Sequence, residues 1–91
     1  MGPLAAQSAL HVLELLEDVV AIELMVAAQG ADFHLDDGAS LGRGTTEVHR
    51  IVRSTVDRWE SDRVMHTDLR LLGACVRSGA LNRQLLLDAF A

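Results

Sequence analysis

Residues 4–29, LAAQSALHVLELLEDVVAIELMVAAQ, decide how the rest of the chain is read. The stretch has no proline or glycine and is filled with residues of high helix propensity, so it reads as one helix about 39 Å long at 1.5 Å per residue. At about 100° per residue, Gln7, His11, Glu14 and Asp18 fall in one narrow stripe. Apart from Glu17 and Glu23, the remaining surface of this helix is mostly Leu, Val, Ile and Ala. A helix so apolar is covered on several sides in a folded protein, and the rest of a 91-residue chain is too short to cover all of it. The expectation is a multi-chain helical bundle: a homo-oligomer, dimer or tetramer, or a complex with a separate chain. The polar stripe is expected to lie against something specific.

Composition bounds the remaining classes. Ninety-one residues make one small domain, and with half of them apolar the chain is expected to fold. Glu14, Glu17, Asp18 and Glu23 interrupt the best candidate for a membrane span. The opening MGPLAAQ lacks the basic start and compact apolar run of a signal peptide. A single cysteine, Cys75, makes no disulfide framework, and the expected location is cytoplasmic. The net charge of −5 argues against nucleic acid as the main partner. Residues 1–37 carry seven acidic and no basic side chains, while residues 38–91 carry six acidic side chains and eight arginines. The two halves are suited to attract each other, within a chain or between chains.

Downstream, Gly30, Gly38, Gly42 and Gly44 read as a loop that begins with a helix-ending glycine, with Asp32, Asp36 and Asp37 as solvated acids within it. Neither the EF-hand order nor a phosphate-loop pattern is present. Thr45 or Thr46 is placed to cap a second helix with Glu47 in its first turn. Val48, Ile51, Val52, Val56 and Trp59 then form its apolar face, with Arg50, Arg53 and Arg58 away from it. A third helix begins near Thr67 and Asp68, carries Leu69, Leu72, Cys75 and Val76, and stops at Ser78 and Gly79. Leu81 to Phe90 makes a short last helix that turns Leu85, Leu86 and Phe90 towards a neighbour. No segment alternates like a strand, so the fold class is all-α: a long N-terminal helix plus three shorter ones.

For chemistry, His11 and Glu14 stand three apart on one helical face with Asp18 a turn further on. A histidine beside carboxylates is suited to general acid or base work, and the same spacing also describes an ordinary polar face. Gln7 and Gln29 lie on the same side as possible hydrogen-bonding groups for a small organic ligand. No metal is expected: HExxH is absent, and His34, His49 and His66 sit in separate segments without a recurring ligand spacing. His49 and His66 read as surface or cap-adjacent residues, and Cys75 as a small core residue.

Four stretches, MGPLAAQSALHVLE, VVAIELMVAAQGADF, the run from Leu41 through Val56, and SDRVMHTDLRLLGACVRSGALN, cover nearly the whole chain. In their order and spacing the chain resembles the C-terminal portion of the aromatic amino acid ammonia-lyases, most closely histidine ammonia-lyase. The resemblance implies long helices from several subunits packed side by side, usually in a tetramer. It also implies that Glu14, nine residues before the glutamate of the AIE motif, reaches an active site, although Leu15 stands where the family often has asparagine. Gln29 matches the glutamine of the family's AAQ segment, where packing or a buried hydrogen bond is its implied role. Family lyases form methylideneimidazolone from an Ala-Ser-Gly tripeptide in a larger N-terminal portion and use tyrosine as catalytic base. This chain has Ala39-Ser40-Leu41 and no tyrosine, so no cofactor is expected in it and it is not expected to be an ammonia-lyase alone. Three roles remain open: a free-standing bundle that binds or transforms a small molecule, the small subunit of a split lyase or aminomutase whose other chain supplies the methylideneimidazolone, as expected if Met1-Gly2 coincides with the start of the family's C-terminal portion, or a non-catalytic interaction protein.

Overall fold

The computed structural model describes residues 2–89, and the side chains of all of these except 84–86, 88 and 89. Among the described residues there are four helices and no strand: α1 (Pro3–Asp36), α2 (Arg43–Thr55), α3 (His66–Ser78) and α4 (Ala80–Ala89). The all-α expectation holds. The outward placement of Leu85, Leu86 and Phe90 falls outside the described side chains.

The first helix does not stop at Gly30. It runs on to Asp36, and its end is marked by Gly38, whose φ of 90° is the left-handed conformation a glycine adopts at a helix C-terminus. There the amide of Gly38 bonds to the Leu35 carbonyl and that of Ala39 to the His34 carbonyl, closing off the last turn. Gly30 faces open space inside the helix. Its intrinsic cost of about 1 kcal/mol is offset by what the continued helix brings into contact, chiefly Asp32.

The second helix starts earlier and ends earlier than its apolar spacing suggests. Gly42 in extended conformation precedes Arg43, and the Thr46 hydroxyl donates back to the Gly42 carbonyl at 2.8 Å instead of capping. Glu47 lies beyond the first turn and pairs with Arg50 at 2.9 Å. At the other end, the hydroxyls of Ser54 and Thr55 both donate to the Ile51 carbonyl, competing for the helix's own acceptor, and Val56 turns extended. Val56 and Trp59 still pack on the core, from an extended connector rather than from a helix. The third helix begins within a residue of its expected start and ends, as read, at Ser78 with Gly79 at φ 75°.

The core is small: Ala21, Met25 and Ala28 from α1, Val52 and Val56 from α2 and its exit, and Leu72 from α3. All the α1 members belong to its second half. The first half projects beyond the fold with Leu4, Leu10, Val12, Leu13, Leu15, Leu16 and Val19 between 48% and 76% exposed. Two whole-molecule quantities agree with this picture. The radius of gyration is 15.5 Å against roughly 12 Å for a compact chain of this length. The accessible surface is 6473 Å², about 1,300 Å² more than a compact monomer of this mass presents.

Candidate functional site

Register along α1 connects the two halves of the helix. At about 100° per residue, Gln7, His11, Glu14 and Asp18 continue the same face that carries Ala21, Met25, Ala28 and Asp32. In the second half that face is covered by α2 and α3. In the first half it carries polar groups and is open.

Gln7, His11 and Glu14 are all exposed in the single chain. Neither His11 nor Glu14 has a hydrogen-bond or ion-pair partner among the described residues, so the stripe is brought together by spacing alone. Asp18, also exposed, is drawn to another helix: its Oδ1 lies 3.9 Å from Arg77 Nη1 of α3. Gln29 does something different again. Its amide nitrogen donates to the Trp59 carbonyl and its amide oxygen accepts from the Trp59 amide, both at 3.1 Å. The side chain thereby pairs with the connector as a neighbouring strand would, fixing Trp59 against the core.

A polar cluster that the sequence reading missed lies one turn further along α1. Asp32 is 7% exposed, buried and helical rather than a solvated loop acid. Its Oδ1 is 2.8 Å from His49 Nε2, and its Oδ2 accepts from Arg53 Nε at 2.9 Å and Nη2 at 2.6 Å. Because an ionised carboxylate only accepts, His49 Nε2 carries the proton in this bond. Burial alone would raise the Asp32 pKa, but hydrogen bonds from Arg53 and His49, and the charge on them, together hold it below its ordinary value. His49 is therefore half-buried and paired, not a surface residue. One turn on, Asp36 pairs with Arg58 at 2.5 Å, with the guanidinium 5.5 Å from the centre of the Phe33 ring. The acidic first half and arginine-rich second half thus meet within one chain.

Arg53 and Arg58 are occupied by these contacts, and Cys75 is a half-buried free thiol. Among the described residues no group of three or more His, Cys, Asp or Glu is placed to hold a metal ion, and no helix is long and apolar enough to cross a membrane. Ala39-Ser40-Leu41 lies on the link between α1 and α2. Ala39 and Ser40 are exposed there, and Leu41 is half-buried.

The family model for aromatic amino acid lyases matches residues 1–54, more than half of the chain and all of α1. The chain belongs to the aromatic amino acid lyase family. Its relatives include histidine ammonia-lyases of Alkaliphilus oremlandii (41% identical over 81 residues, 89% of this chain) and Clostridium tetani (34% over 83 residues, 89% of this chain). That of Caldanaerobacter subterraneus is 35% identical over 85 residues, 93% of this chain. In each case the lyase-family chain spans only 16% of the relative's length. No solved structure matches it. The segment matched by the family model includes the open stripe of α1 and the face that carries Asp32.

Proposed function

We propose that this lyase-family chain is an assembly element of a helical bundle, in which the first half of α1 is inserted among helices of further copies and Glu14 comes to line a pocket for a small organic molecule. The observation that carries the reading is the apolar surface on every side of a projecting helix whose one polar stripe is Gln7, His11, Glu14 and Asp18. Enclosure would change the chemistry of that stripe. A carboxylate and an imidazole three residues apart on one helical face reach the same bound molecule. Glu14 and His11 would then form a proton-exchanging pair, able to orient a ligand or catalyse a cofactor-free acid/base step on it. With a free thiol as its only cysteine, such a bundle suits the reducing cytoplasm.

A second reading is favoured by the relatives themselves. They are histidine ammonia-lyases of which this chain matches only 16%, so a separate chain carrying an Ala-Ser-Gly segment would supply the remainder of a lyase-type site and receive Glu14 from this one. Light scattering on the purified chain separates the two. A defined dimer or tetramer supports the homomeric bundle, and a chain that becomes a defined particle only with such a partner supports the composite. L-Histidine, taken from the relatives' name, is the first ligand to titrate into either particle. Binding that disappears in Glu14→Gln supports the pocket, and binding unaltered by that substitution removes it. A stable monomer with Glu14 in bulk water would refute both readings.

A further inference from the structure

A hollow built entirely within one chain lies between α1 and α3. It has a volume of about 310 Å³ and is lined by Asp18, Ile22, His66, Leu69, Arg70 and Arg77. Three of these come from one stripe of α3: at about 100° per residue, His66, Arg70 and Arg77 lie within roughly 40° of each other. Gly73 is what seats the last of them. It is buried where α3 meets α1, and a Cβ there would stand 3.1 Å from Arg77 Nη2 and 3.7 Å from Asp18 Oδ1. The guanidinium lies back along its own helix over this gap.

The cations of the hollow are poorly satisfied from within. Arg77 stands 3.8 Å from Glu17 and 3.9 Å from Asp18, too far for hydrogen bonds. Arg70 and His66 have no ion-pair or hydrogen-bond partner among the described residues. Ile22 and Leu69 add an apolar surface alongside. A guanidinium presents a planar fork that matches a carboxylate or phosphate with two parallel bonds, and two of them beside an apolar surface select an anion that carries a hydrophobic body.

We propose that the hollow between α1 and α3 binds a small organic oxyanion, gripped by Arg70 and Arg77, with its apolar body against Ile22 and Leu69. The site shares Asp18 with the polar stripe of α1 but does not depend on assembly, since both of its walls belong to the same chain. Asp18 sits on the opposite wall and opposes an anion, so it holds affinity down.

The test is calorimetric titration of the full chain with benzoate, phenyl phosphate, inorganic phosphate and neutral benzamide. Saturable binding of benzoate or phenyl phosphate is expected, the tighter of the two naming the headgroup, with Arg70→Gln and Arg77→Gln each weakening it about tenfold. Asp18→Asn is expected to tighten binding severalfold, a gain that a misfolded variant cannot imitate. The proposal is overturned by absence of saturable binding for both aryl anions, by equal affinity in Arg70→Gln, by benzamide binding as well as benzoate, or by inorganic phosphate matching phenyl phosphate.

Discussion

Asp32 shows how one buried charge ties the fold to its environment. Its carboxylate receives all three of its hydrogen bonds from α2, and removing it leaves Arg53 and His49 half-buried without their anion. Asp32→Ala is expected to cost about 2–3 kcal/mol, read from the midpoint of urea unfolding. The pH dependence has a definite sign. Because Arg53 and His49 outweigh burial and hold the folded pKa below 3.8, the stabilisation is complete above that value and fades as pH falls through it and on to the lower folded pKa. The wild-type protein should therefore lose urea resistance as pH falls below about 4, and Asp32→Asn should flatten that limb. If both proteins lost stability in parallel over that range, the pairing would contribute nothing. Nothing in the local sequence marks Asp32 as buried. Its partners lie 17 and 21 residues away, and once a helix is broken at Gly30 the aspartate falls into a loop.

Helix boundaries are where reading from sequence and observed structure part, and the reasons are physical. The interior of α1 was legible from composition, and Gly79 was legible as a stop because Ser78-Gly79 ends an apolar repeat. Gly30 and Gly38 present the same residue in opposite roles, distinguishable only by the tertiary contact that lies between them. That difference is measurable. Gly30→Ala replaces a helical glycine whose Cβ meets nothing, and should stabilise by about 1 kcal/mol. Gly38→Ala forces a side chain into φ 90°, and should destabilise by about 1–2 kcal/mol. Opposite signs would place the helix end at Gly30 instead. The early end of α2 was hidden for a related reason: Val56 and Trp59 keep helical spacing in sequence, yet reach the core from an extended segment held by Gln29. Both ends of the Gln29 amide are taken up by the Trp59 backbone, a pairing across 30 residues that no local spacing announces.

The whole molecule is elongated because its core occupies only one end of its longest helix. About 1,300 Å² of surplus surface exceeds the roughly 800 Å² per partner of an ordinary protein interface, which is room for a full neighbour along α1. The apolar residues that create this surplus were legible in the sequence, as was the face on which Glu14 stands. The neighbour was not, since residues that shun water do not specify which polypeptide shelters them. Full burial of a leucine is worth about 1.5–3 kcal/mol, so charging two of them should break the proposed bundle without disturbing α2 and α3. The double substitution Leu13→Asp with Leu16→Asp alters positions 51% and 54% exposed in the single chain and outside the core. Its helical circular dichroism should persist per chain while light scattering falls to a smaller species. The wild-type Tm should rise with protein concentration and that of the variant should not, because only association couples stability to concentration. A wild-type Tm independent of concentration, with unchanged mass on substitution, would mean that the projecting half of α1 stands alone in water and that the bundle does not form.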